Sequence, residues 1–152
     1  MRVVARDWLA AAALLLLAAL PAAAQPAALV AFTVRDGAIA APLTAAPGDA
    51  VRGLALAQDR GKGNCITCHV LPLRAEWMGN LGPPLAGVAG RLSAGELRLR
   101  LVNSKLVHDQ SNMPAYYRVE GLTGVGRRYA GQPILQAQEV EDVLAYLLTL
   151  KE

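Results

Sequence analysis

The segment Cys65-Ile66-Thr67-Cys68-His69 sets two thiols three positions apart, with an imidazole directly behind the second. On one tight helical turn that spacing lets both thiols reach the two vinyl groups of a single porphyrin. The next side chain, His69, then sits under the iron as a proximal ligand. Cys-x-x-Cys-His is the pattern of covalent haem c attachment. Other chemistries use parts of it. A thioredoxin-like dithiol wants a strand in front and a parallel-sheet pattern around it, and neither is evident. A structural zinc site needs four ligands, and beyond the motif the chain offers only His108 and no further cysteine. A disulfide across two intervening residues is geometrically strained. Haem consumes both cysteines, which leaves no thiol for catalysis or for an intersubunit bridge.

An iron held from one side by His69 needs its other ligand from far along the chain. The methionines are Met1, Met78 and Met113. Met78 lies close to His69 in sequence and would have to swing over the opposite face. Met113 precedes Pro114, which stiffens its loop and removes a competing N–H. A methionine is more often a gap-filler in a core, but the residues around Met113 are polar. Met113 is the expected axial ligand, with Met78 and His108 as rivals. His/Met ligation suits a high potential and electron transfer. A metal-bound histidine also needs an acceptor for its second ring N–H. Gly82-Pro83-Pro84-Leu85-Ala86-Gly87 is a proline-locked loop that could supply a backbone carbonyl, although Gly-Pro-Pro also reads simply as a turn.

Short helices must position these groups. Asp49 is a good N-cap for a first helix carrying Val51, Leu54 and Leu56, and Gly61-Lys62-Gly63 is its expected stop. Between Gly61 and Gly90 there are six glycines and three prolines, so that stretch is irregular backbone wrapped around something. Ser93-Ala94-Gly95-Glu96 is a capping box, followed by an apolar face of Leu97, Leu101 and Val102. From Asn103 to Pro133 the chain is loop-like again. A last helix is expected from about Ala137 to Leu150, with Val140, Val143, Leu144 and Leu147 at i, i+3, i+4 and i+7. Glu139, Glu141 and Asp142 fall in its first turns and Lys151 in its last, as the helix dipole favours. No strand alternation, repeat or phosphate loop is present, so the fold class is all-α.

The chain has 152 residues, 54% of them apolar, 18% charged and 5% aromatic. Those values exclude a disordered charged tail, a collagenous repeat and a disulfide-dense miniprotein. Residues 1–24 read as a secretion signal: Arg2 and Arg6, an apolar run from Trp8 to Leu20, Pro21, then three alanines. An uncleaved anchor is the alternative, but Trp8 to Ala24 is 17 residues including a proline, short against the ~20 that span a bilayer. Cleavage would leave 13 basic and 11 acidic side chains, a net charge of +2, which does not support nucleic-acid binding. It would leave no membrane span and a periplasmic protein. The remaining aromatics (Phe32, Trp77, Tyr116, Tyr117, Tyr129 and Tyr146) make a thin core that a large apolar cofactor would complete. Residues 25–46 read as an N-terminal arm, either loose or laid against a partner, and residues 47–152 as the domain proper.

Residues 47–152 resemble the class I cytochromes c. The likeness implies crossed N- and C-terminal helices with one haem c wedged below. By that likeness Gly53 lets the first helix approach the last near Tyr146. Cys65 and Cys68 bind haem, and His69 and Met113 are its axial ligands. Pro83, Leu85 and Arg91 stand against it, the Pro83 carbonyl accepting from His69 and Arg91 approaching a propionate. Within the family the chain is similar to the SoxX subunits of SoxAX cytochrome complexes of bacterial sulfur oxidation. The stretches that carry this are Lys62-Gly63-Asn64-Cys65, Gly79-Asn80-Leu81-Gly82-Pro83-Pro84-Leu85, Met113-Pro114-Ala115-Tyr116 and Tyr129-Ala130-Gly131-Gln132-Pro133-Ile134-Leu135. The likeness implies a SoxA partner that carries the L-cysteine S-thiosulfotransferase chemistry, transient contact with the SoxYZ carrier, and an acceptor cytochrome downstream. The alternative is a stand-alone cytochrome c shuttling electrons to a terminal oxidase. Such shuttles often dock through a lysine ring, whereas Lys62, Lys105 and Lys151 are scattered.

Overall fold

Asp49 starts the first helix in the computed structural model, which describes residues 28–152; the expected signal segment 1–24 lies outside them. Helix α1 is Ala50–Gln58. The Asp49 carboxylate accepts from the amides of Val51 and Arg52, each at 2.9 Å, satisfying donors that a helix start leaves open. The helix ends before the expected glycine stop. Asp59 terminates it: its carbonyl accepts from Lys62 and Asn64, and its carboxylate accepts from Gly61 at 2.7 Å.

Helix α2 is the single turn Val88–Arg91, and α3 is Ala94–Asn103. Ser93 and Glu96 close the capping box, with Glu96 accepting from the Ser93 amide at 2.9 Å and Ser93 Oγ from the Glu96 amide at 3.3 Å. Helix α4 is Ala137–Leu147, shorter than expected. The Thr149 hydroxyl donates to the Tyr146 carbonyl at 2.7 Å, and the chain leaves the helix there with Leu150 still buried. The carbonyls of Leu150 and Glu152 then accept from Ala89 and Gly87, tying the C-terminus to α2.

Helices α1 and α4 cross in direct contact. A Cβ on Gly53 would collide with the Asp142 carbonyl and come within 2.9 Å of the Tyr146 Cβ, so only glycine permits this approach. Val140, Val143, Leu144 and Leu147 are all buried on α4, with Leu97, Leu99, Leu101 and Val102 of α3 beside them. Among the described residues the only β pairing is an isolated bridge between Arg35 and Ala38.

Two acidic residues of α4 do more than complement a dipole. Asp142 is 3% exposed and accepts from the Asp49 amide, from Arg52 Nε and Nη2, and from Gln138. The Arg52 hydrogen bond is the main cause holding its carboxyl below the usual carboxylate range, against the opposing effect of burial. Because the folded value is depressed, the resulting stability is fully present above the ordinary value of about 3.9. It is lost as pH falls through the lower folded value. Acid unfolding of an Asp142→Asn variant followed by circular dichroism should therefore lack part of the parental dependence in that strongly acid window.

Glu141 is 5% exposed and Arg98 of α3 is 6% exposed. Arg98 donates to both Glu141 oxygens, Nε at 2.8 Å and Nη2 at 3.0 Å. Its Nη1 donates to the Ile39 carbonyl at 2.7 Å, and Glu141 accepts from the Leu43 amide at 2.8 Å. The arm is thus laid over α3 and α4 of its own chain, with Ile39 and Leu43 in the core.

Candidate haem site

Asn64 reverses the chain in the left-handed region, φ 48°, which asparagine tolerates better than most residues. A 3₁₀ turn over Cys65–Thr67 follows. The Cys65 carbonyl accepts from the amides of Cys68 at 3.1 Å and His69 at 2.9 Å. This turn sends Cys65, Cys68 and His69 to the wall of one cleft of roughly 360 Å³. Burial pushes the Cys65 thiol up to about 11. That is the reverse of the depressed value a reactive redox pair needs. No three His, Cys, Asp or Glu side chains converge as a metal cage among the described residues.

The glycine-proline loop lies along the motif in fixed register. Gly79 donates to Ile66, Gly82 to Cys68 and Leu85 to Val70, at 2.8, 2.7 and 2.9 Å between backbone atoms. This register sets the Pro83 carbonyl 2.7 Å from His69 Nδ1. With Nδ1 carrying the proton as donor, Nε2 keeps its lone pair for a metal. Gly82 passes so close beneath the ring that a Cβ there would stand 2.6 Å from Nδ1. Any other residue would push the loop off or turn the imidazole.

Met113, Leu85 and His108 also line the cleft. Met113 is half-buried and packs against the core, whereas the His108 side chain is 71% exposed. Met78 is spent elsewhere, its Sδ accepting from the Leu71 amide at 3.2 Å. Arg91 is not brought to the cleft wall. Its guanidinium donates to the carbonyls of Ala86 at 2.7 Å and Pro84 at 2.9 Å, because the loop folds back over α2 and presents those carbonyls first. Arg91 braces the loop that carries Pro83.

Arg100 and Ser104 are polar cleft residues that the sequence reading did not single out. Arg100 falls at i+3 from Leu97, beside Leu101 at i+4, so the helical period could have found it. Tyr116 is buried and donates to the Gly63 carbonyl at 2.6 Å, and burial raises its phenol. The donor set fits a haem c. Two free thiols and an oriented imidazole share a cleft with a thioether. The walls of Leu81, Leu85, Val88, Leu92, Leu97 and Leu101 are apolar, and the Arg100 cation lies among them.

The cytochrome c family model matches residues 50–151. A chain of the crystal structure of SoxXA from P. pantotrophus is 36% identical, with a TM-score of 0.74 over 80% of this chain and 95% of that one. No curated protein matches significantly. A haem-binding turn, its imidazole acceptor, a methionine on the same cleft and these two likenesses converge: the chain belongs to the cytochrome c family, as a SoxX-type class I member with covalently bound haem c.

Proposed function

We propose that this chain is the monohaem, electron-accepting subunit of a SoxAX-type thiosulfate-oxidising complex. The observation that carries the reading is the joint presence of the Cys65–His69 turn and Met113 on one cleft, in a chain that matches nearly the whole of a SoxXA chain. Cys65 and Cys68 would clip the haem by thioethers, with His69 and Met113 as axial ligands. Bound there, haem supplies a one-electron iron couple. The Pro83 carbonyl holds the His69 proton at Nδ1 and makes Nε2 a stronger donor. The neutral Met113 sulfur and the leucine walls favour the reduced, less charged state. Arg100, on the cleft wall, would supply the cation for a haem carboxylate.

With both cysteines committed to thioethers, the cleft offers no free thiol, and the thiosulfate chemistry falls to a SoxA partner. Coupling thiosulfate to a cysteine of the SoxYZ carrier forms an S–S bond and releases two electrons. This chain's part is to take them one at a time and pass each to an acceptor cytochrome. Residues 1–24 serve as an export signal to the periplasm. No helix among the described residues is long and apolar enough to cross a membrane.

Isolation of the exported protein tests the proposal. A tight, equimolar complex with a second cytochrome is expected; a free monomer points to the stand-alone shuttle and overturns it. Met113→Ala should keep covalent haem and lose the red-edge methionine-to-ferric-iron band completely.

A further inference from the structure

We propose that Ser104 and Lys105 form a hydrogen-bonded clip that docks Met113 and sets how readily its sulfur leaves the iron. Ser104 is then a positioning residue for the sixth ligand. The inference rests on the reading of Met113 as that ligand.

Ser104 interrupts an apolar stripe. It follows Leu97 and Leu101 on the face of α3 that lines the cleft, where a third leucine would bury more surface. It is instead a serine, 4% exposed, at the head of a 3₁₀ turn over Ser104–Leu106. Its hydroxyl proton has one partner: Oγ donates to the Met113 carbonyl at 2.7 Å. The Met113 amide donates to Ser111 Oγ at 3.2 Å, and Lys105 Nζ donates to the Ser111 carbonyl at 2.7 Å. The Met113 peptide is therefore held at its N–H and at its C=O.

What lies behind Ser104 is rigid. Ser104 directly follows α3, which is buried against α4 through Leu99 and Val102. Ahead of it, residues 105–110 are exposed, tied back through the Val107 and His108 amides, which donate to the Ser104 carbonyl at 3.0 Å. A neutral thioether bonds ferric iron weakly, so the cost of undocking its loop adds directly to the strength of that bond. The Ser104 hydrogen bond joins the Met113 peptide to the buried end of α3.

Imidazole binding to the ferric holoprotein reads that cost, because imidazole must displace the methionine. Ser104→Ala should raise imidazole affinity about five-fold, the equivalent of one net hydrogen bond of roughly 1 kcal/mol. It should also lower the reduction potential and weaken the red-edge band. Ser104→Thr, which keeps the hydroxyl, should restore parental values. Lys105→Gln, at an exposed position, should give a smaller gain of about two-fold. If Met113→Ala leaves the band in place, the ligand reading fails and the clip with it. If Met113→Ala abolishes the band while Ser104→Ala keeps parental affinity and potential, the clip alone is refuted. Should Ser104→Ala yield no holoprotein, parental imidazole affinity in Lys105→Gln overturns the clip.

Discussion

Exported Cys65→Ala/Cys68→Ala protein should have the mass of bare polypeptide, no haem absorption and no cooperative thermal transition. The reason lies in where the apolar surface is. Leu81, Leu85, Val88, Leu92, Leu97 and Leu101 turn toward the cleft from separate loops and helices. Val88, Leu97 and Leu101 are buried, but Leu81 is 70% exposed and Leu85 and Leu92 are only partly buried, and each large apolar side chain left exposed forfeits about 1.5–3 kcal/mol. Marginal stability of about 5–15 kcal/mol does not survive several such losses. The metal-binding free energy is here part of the folding free energy. Residual helix should remain where α1 crosses α4, because Gly53 and the apolar face of α4 do not depend on the cleft. Mass spectrometry, absorption and a circular-dichroism melt decide it. A sharp melt in the colourless protein would sink the idea that haem completes the core.

The parts of the fold that were legible are those set by local chemistry. Asp49 and Ser93 cap helices because their side chains reach amides two and three residues on, a relation visible in any sequence. The α4 face of Val140, Val143, Leu144 and Leu147 is likewise a matter of period. The Cys65–His69 turn is legible because five adjacent residues carry the whole attachment chemistry.

What was not legible depends on which faces meet. Glu141 and Asp142 stand in the first turns of a helix, and charge near a terminus is fully explained there by the dipole. Nothing local says that both point inward. Arg98 lies among leucines at a position that a surface arginine would also occupy, and its partner Glu141 is 43 residues away. Ile39 and Leu43 have no periodicity around them, so their burial waits on the platform that Arg98 builds. The bracing role of Arg91 was hidden for the same reason: its neighbours in sequence do not reveal that the carbonyls of Pro84 and Ala86 accept from it. At the cleft, Arg100 was within reach of the period. Ser104 was not, because a serine after an apolar stripe reads as a helix end.

Arg98→Met should be the most damaging change away from the cleft. It removes the cation from a carboxylate that is 5% exposed and leaves Glu141 holding a buried charge with only the Leu43 amide against it. Breaking one side of such a pair costs about 3–5 kcal/mol, well above the value of an exposed ion pair. The change also frees the Ile39 carbonyl, which Arg98 Nη1 holds at 2.7 Å. Arg98→Lys should recover little. One ammonium cannot give two parallel bonds to Glu141 and a third to Ile39. Arg98→Met with Glu141→Leu should recover much of the loss, because no charge then stays buried. Denaturant unfolding of the holoprotein measures the first effect. Limited proteolysis between residues 28 and 46 measures the second, since the arm is held through the same guanidinium. If Arg98→Met unfolds at the parental denaturant concentration and its arm resists cleavage, then the arm is fixed by Ile39 and Leu43 alone. In that case the ion pair is a passenger of the fold and does not organise it.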